Sequence, residues 1–331
     1  MKVFLLRRFL SMIVSYFLLS LIIFVTIQIA PGDYLTNMLA ELQEQRSGIR
    51  TEAAMQMVEN FAVHFGLDKP KWQQYLIWIR NFTMGDMGIS FTYQRPVAEL
   101  LGSRLLLSFI ISIASPIFTW GIGIPIGIYV ALHKNTIRDY VATFVGFVGL
   151  SIPNFFLALA LMVLALFTFG MNVGSMFSPA YQDAPWSVMR VLDFIKNLWI
   201  PIVVIGTAGT AGTIRVMRGN LLDVLGEPYV TTARSKGVKE RIVTRRHAVR
   251  IAFNPFVSSL GMTLPALLSG EAITSIVLNL PTAGPLLLDA VLGEDIFMAA
   301  SILQFYAIFL LIGNLLADIA LAMLDPRIRY D

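Results

Sequence analysis

Six apolar runs, each about twenty residues long and free or nearly free of charge, narrow what this chain can fold into. They fall at about 9–30, 105–132, 140–169, 198–216, 251–268 and 298–323. Inside a bilayer no water is available to backbone amides and carbonyls, so an apolar run of this length crosses as a helix that satisfies its own groups. The composition agrees. Of 331 residues 56% are hydrophobic and only 14% are charged, against about 25% charged in soluble domains. The sequence therefore predicts an all-α polytopic membrane protein with six transmembrane helices, a single transmembrane domain over 1–331.

Several chemistries drop out at once. With no cysteine there is neither a disulfide framework nor thiolate ligation of a metal. His64, His133 and His247 are far apart and show no metal-ligand spacing, so no catalytic, cofactor-binding or metal residue is assigned. A net charge of +4 could point to nucleic acid, but the basic residues follow membrane topology instead. They read as orientation signals and contacts with the lipid bilayer, and no nucleic-acid partner is expected.

Lys2, Arg7 and Arg8 precede the first run and place the N-terminus in the cytoplasm. Six crossings return the C-terminus, with Arg327 and Arg329, to the same side. On this topology about 16 of the 25 Lys and Arg residues are cytoplasmic and about 14 of the 21 acidic residues are outside, which supports the six-span count independently of hydropathy. The first run is too long for a signal peptide, and Pro31 is unsuited to a cleavage site, so it is read as a retained span. Residues 32–102 form an extracytoplasmic loop region. Within it Thr51 to Phe65 reads as an amphipathic helix stopped at Gly66. A second helix, Lys71 to Phe82, carries Trp72, Tyr75, Trp78 and Phe82 at helical spacing. Those aromatics suit either the headgroup layer or the core of a small outer subdomain. Asn172 to Asn197 is polar and outside, and Gly270 to Phe297 is an outer or partly re-entrant loop.

Inside the spans, Gly123 and Gly127 hint at a close helix crossing. Pro153 interrupts the third span, either as a moving joint or as a packing kink. Gly206, Gly209 and Gly212 among Thr207, Thr210 and Thr213 suit tight packing or the wall of a hydrated pathway. Asn254, Ser258, Gly261, Pro265 and Ser269 recur at spacings of three and four, which puts them on one face of the fifth span. A polar face on a membrane helix looks into protein or water, so these five are candidate pathway-lining residues.

Between spans four and five lies a cytoplasmic hairpin, residues 227–250, carrying Arg234, Lys236, Lys239, Arg241, Arg245, Arg246 and Arg250. Pro228 suits the first turn of a helix and Gly237 a left-handed turn, so the order read is helix, turn, helix. Charge alone would make it a topogenic loop, yet topology needs only two or three basic residues. Nothing in the chain supplies energy for transport. No glycine is followed by lysine, which excludes a phosphate-binding loop, and no cytoplasmic segment is large enough for a phosphorylatable domain. The only acidic residue within a span is Asp318, which either pairs with a residue such as Arg215 or snorkels. Energy is therefore expected from another polypeptide, received at the hairpin. The rival of another class is an ion-coupled secondary carrier using Asp318 and the polar face from Asn254 to Ser269. A membrane scaffold without transport would leave so ordered a hairpin without a purpose.

The stretch Tyr229 to Pro255, with Thr231-Thr232-Ala233, then Gly237, then Pro255, resembles the EAA cytoplasmic loop of binding-protein-dependent ABC importer permeases, in particular the dipeptide/oligopeptide/nickel family. Ala30-Pro31-Gly32-Asp33, Phe65 to Pro70, Gly85 to Ser90, Leu150 to Phe155 and Asp325 to Arg329 resemble further motifs of that family in the same order. Thr231, Tyr34 and Asn279 to Gly284 depart from its usual residues. The resemblance implies a type I permease fold and a chain that forms half of a translocation pathway. It implies a coupling helix in which Tyr229, Thr232, Ala233, Arg234, Lys236 and Gly237 meet an ATPase, with Arg234 and Lys236 facing acidic groups on that partner. The implied partners are a second homologous permease, two ATP-binding cassette ATPase subunits that bind ATP and Mg, and an extracytoplasmic substrate-binding protein. The chain itself would hold no cofactor, catalyse no reaction, and sit in the inner membrane of a prokaryote. Di- and oligopeptides are the leading substrate, with oligosaccharides or nickel complexes as alternatives.

Overall fold

A computed structural model describes residues 2–29, 55–56, 59–60, 62–64, 66–90, 92–170, 176–181, 184–185 and 187–324, with the side chains of 2–4, 169, 208, 260–271 and 324 also outside the description. The motifs at 30–33 and 325–329 and most of the helix expected over 51–65 lie outside the described residues. Apart from one short hairpin, the described elements are helical. In chain order they are α1 (Lys2–Ile29), α2 (Lys71–Thr83), β1 (Ile89–Ser90), β2 (Arg95–Pro96), α3 (Val97–Leu132), α4 (Ile137–Ser151), α5 (Asn154–Phe169), α6 (Val188–Leu225), α7 (Pro228–Ser235), α8 (Glu240–Ile242), a π-helical turn (Val243–Ala248), α9 (Val249–Ala252), α10 (Asn254–Val277), α11 (Ala283–Leu292) and α12 (Ile296–Leu324). Among the described residues three helices, within α1, α3 and α12, are long and apolar enough to cross a membrane, and α4 with α5 makes a fourth if the pair counts as one span. The long helices α6 and α10, of 38 and 24 residues, are not among these.

Several boundaries differ from the sequence expectation, beginning with α3, which starts at Val97 rather than at 105. The third span is two helices bent by 95°, because Pro153 holds Ile152 in an extended conformation (φ −81°, ψ 120°) and opens α5 itself. The fourth begins ten residues early, at Val188, where Ser187 Oγ accepts the amide of Arg190 and caps the helix. The loop expected from Gly270 to Phe297 is mostly helical, since α10 runs on to Val277 and α11 follows.

The chain divides into two compact units. One comprises Met1–Leu5, Leu107–Pro285 and Ile312–Asp331. Its core includes Ile111 of α3, Ala158 of α5 and Ile200 and Val204 of α6, all at most 1% exposed. The glycines of α3 mark a close crossing with α6. A Cβ on Gly123 would lie 2.7 Å from Thr213 Cγ2, and one on Gly127 would lie 2.7 Å from Met217 Cβ and 3.0 Å from the Ile214 carbonyl oxygen. Gly206 and Gly209 approach Phe118 and Thr119 in the same way, and Thr119 Oγ1 donates to the Gly206 carbonyl at 3.1 Å. Gly206, Gly209 and Thr213 of α6 are therefore packed against α3, whereas a Cβ on Gly212 would meet open space.

The other unit comprises Leu6–Leu106 and Leu286–Leu311. The aromatic face of α2 is turned inward here. Tyr75 and Trp78 lie 5.6 and 5.9 Å from Phe24 of α1, Phe82 lies 5.4 Å from Phe305 of α12, and Ser20 Oγ bonds Tyr75 OH at 2.7 Å. These rings cover apolar helices, and of the four only Trp72, 64% exposed, faces outward. The motif Gly85 to Ser90 docks on the start of α12. Ser90 Oγ donates to Asp295, which is 1% exposed and also accepts the Met298 amide, while Tyr93 OH donates to Asp289. Gly88 allows the close approach, since a Cβ there would lie 2.6 Å from the Phe297 ring.

Candidate functional site: the hairpin between α6 and α10

The hairpin is built by local signals at each end of a two-turn helix. Gly226 ends α6, and Pro228 stands at the first position of α7, where its missing amide costs nothing. At the other end Gly237 has φ +75°, its amide donates to the Arg234 carbonyl, and the Val238 amide donates to the Ala233 carbonyl. That pair of bonds is the Schellman ending, which requires a left-handed residue at this position.

Val230 is fully buried and anchors α7, while Tyr229, Thr231, Thr232 and Ser235 are exposed. The hydroxyls of Thr232 and Ser235 donate to carbonyls four residues back at 2.9 and 3.1 Å, so they satisfy their own helix. The resulting outer surface is small and smooth apart from the Tyr229 ring. Ala233 is half-buried, and Lys236 is exposed with its ammonium at the helix C-terminus, where a cation suits the dipole.

Arg234 also has an acidic neighbour within the hairpin. Its guanidinium makes a forked contact with Glu240, Nη2 to Oε1 at 2.7 Å and Nε to Oε2 at 3.1 Å. It braces the turn within the hairpin, which leaves Lys236 as the outward cation among the six residues. Arg234 holds the Glu240 carboxyl below its usual range. A carboxylate depressed on folding contributes stability above its unfolded pKa and loses it as pH falls through the lower folded value. Being exposed, the pair is worth at most about 1 kcal/mol. A spin label at Ser235 should accordingly keep its mobility from pH 8 to pH 5 and gain mobility at lower pH, with Glu240→Gln showing the higher mobility throughout.

Beyond the turn, Val243–Ala248 winds as a π-helix before α9 leads into α10. Ala248, Ala252 and Phe256 pack with Ala131 of α3 and with Met217 and Leu221 of α6, and Trp120 lies edge-on to both Phe253 and Phe256. The hairpin is thus seated on the ends of α3 and α6 by an apolar cluster, while its basic residues Arg241, Arg245 and Arg246 stay exposed.

The candidate pathway residues share one continuous helix, α10. Asn254 is half-buried, and Ser258 is exposed with its hydroxyl donating to the Asn254 carbonyl at 3.0 Å. The side chains of Gly261, Pro265 and Ser269 lie outside the described residues. Sequence reasoning missed one contact altogether. Asp139, at the start of α4, is 2% exposed and accepts both Nε and Nη2 of Arg218 on α6, at 2.9 and 2.7 Å. The residues are 79 apart, and the only local sign was an acidic residue directly after the basic turn His133 to Arg138.

Comparison with known sequences shows which family of membrane proteins this helical chain belongs to. Residues 123–330 match the family model for the binding-protein-dependent transport system inner membrane component, and the chain belongs to that family. It is 34% identical over its whole length to the oligopeptide transport system permease protein AppB of Bacillus subtilis, all of which is covered. It is 30% identical to the dipeptide transport system permease protein DppB of Escherichia coli K12, over 99% of this chain and 98% of that one. The glutathione transport system permease protein GsiC of the same strain is 31% identical over 98% of both chains.

Proposed function

We propose that this chain is the translocation subunit of an ATP-driven peptide importer, crossing the membrane six times with both termini in the cytoplasm. The observation that carries the reading is α7. It is a short helix with a buried anchor at Val230, an exposed Tyr229 and a glycine-dependent stop, in a hairpin whose later part packs on the ends of α3 and α6. In this reading Tyr229, Thr232, Ala233, Lys236 and Gly237 form or shape the surface that an ATPase subunit grips, and Arg234 keeps that surface rigid. ATP and Mg are bound by two partner ATPase subunits, and this chain performs no hydrolysis. A second, homologous permease completes the pathway, to which Asn254, Ser258, Gly261, Pro265 and Ser269 of α10 contribute. An extracytoplasmic binding protein delivers substrate.

The peptide assignment rests on the names of full-length relatives, which carry oligopeptides, dipeptides and glutathione. Uptake of a labelled tripeptide by cells expressing the complete importer tests it. Unlabelled di- and oligopeptides should compete at micromolar concentrations, whereas competition only by oligosaccharides or nickel complexes would transfer the assignment to those solutes.

A further inference from the structure

Resting on the coupling role proposed for α7, one contact outside the hairpin can be given a part in the same process. Arg218 lies about two turns before the end of α6, the helix that leads through Gly226 and Glu227 into α7. Its guanidinium grips both carboxylate oxygens of Asp139 at the start of α4. Asp139 Oδ2 also accepts the amide of Asn135 at 3.0 Å, so the same carboxylate fixes the turn between α3 and α4. A forked guanidinium–carboxylate contact has one geometry and resists both sliding and rotation.

Above the pair, α4 and α6 run close together, with a Cβ on Gly146 or Gly149 placed 3.6 Å from Ala211 or Thr207. Beside the pair the packing is incomplete. A cavity of about 260 Å³ opens between the two helices, lined by Phe147, Ile214 and Arg215 as well as the pair itself. The forked ionic contact thus joins α4 to α6 at one end of this cavity, which reaches as far as Gly146, Leu150 and Ala211. At its other end α4 meets the 95° bend before α5. The elements α7, α6, Arg218, Asp139, α4 and the bend at Pro153 follow one another without a break.

We propose that the Asp139–Arg218 pair is the positioning joint that carries movement of the coupling helix into α4 and α5. Such a pair, with Asp139 buried and Arg218 partly exposed, is weak evidence for stability alone, because an apolar pair of similar volume often serves the fold as well. That property supplies the test. Asp139→Asn and the double variant Asp139→Leu/Arg218→Met are assembled with the partner subunits in proteoliposomes. Substrate moved per ATP hydrolysed is measured together with the stimulation of hydrolysis by the binding protein.

Both variants should assemble and hydrolyse ATP, and both should move about tenfold less substrate per ATP. A normal ratio in the double variant would overturn the proposal and leave the pair a structural support. Failure of both variants to assemble would overturn it for the same reason. Uptake by the unmodified complex without ATP would remove the coupling role of α7 itself, an outcome distinct from the other two.

Discussion

Replacing Gly237 with valine is expected to abolish uptake while the protein still inserts into the membrane. The reason is conformational, because an added Cβ at this position would meet nothing within 4 Å. Its backbone, however, sits at φ +75°, where an L side chain collides with its own chain. For a β-branched residue the cost is on the order of 2 kcal/mol, enough to lower the population of the formed turn more than tenfold. Losing the turn breaks the two capping bonds to Arg234 and Ala233 and separates Arg234 from Glu240. The surface from Tyr229 to Lys236 would then no longer be held in one conformation. A series with asparagine, alanine and valine should reduce uptake in that order, since asparagine tolerates the left-handed region best. Equal uptake across the series at equal membrane abundance would mean that the shape of the turn does not matter for transport.

Gly127→Leu is expected to be the most damaging single change in the membrane helices. The neighbours a side chain would strike are the Met217 Cβ and the Ile214 carbonyl oxygen, which are parts of α6 that cannot swing away. Forcing α3 from α6 would also open the cluster of Ala131, Met217, Leu221 and Phe256 that seats the hairpin. A loss of about 3 kcal/mol or more is expected, at the upper end for overpacking, read as a large fall in the midpoint of thermal unfolding in detergent. Gly121→Ala, in the same helix but with nothing within 4 Å of its Cβ position, should leave that midpoint unchanged.

These two glycines also show what the sequence made legible. Gly237 could be read as a turn from its place between two basic helical stretches, because the capping preference is local. The closeness of α3 and α6 at Gly123 and Gly127 was only hinted at, since a small-residue pair does not say which helix approaches it. Hydropathy located the long helices, and some of them continue past the apolar runs into polar sequence. The start of α6 at Val188 and the end of α10 at Val277 are examples, and local caps and neighbours decide both. Pro153 announced an interruption, while the size of the bend depends on packing that a proline does not encode. The aromatic face of α2 was visible as a periodic pattern, but its partners Phe24 and Phe305 lie far away in the chain.

In the hairpin, charge alone could not separate Arg234 from Lys236. Both are basic and two residues apart, yet one is turned onto Glu240 and the other outward. The contact that brings Arg218 to Asp139 was the hardest to foresee. Membrane helices set such pairs by how they pack side by side, and a spacing of 79 residues leaves no periodic trace.

The most direct test of the central claim is uptake by proteoliposomes holding this chain with its partner subunits and binding protein, assayed with and without ATP inside or outside as orientation requires. Uptake that depends on ATP, on both ATPase subunits and on the binding protein, and that disappears with Gly237→Val, is the predicted result. Uptake by this chain alone, driven by an ion gradient and indifferent to Gly237, would contradict it and make the molecule a secondary carrier.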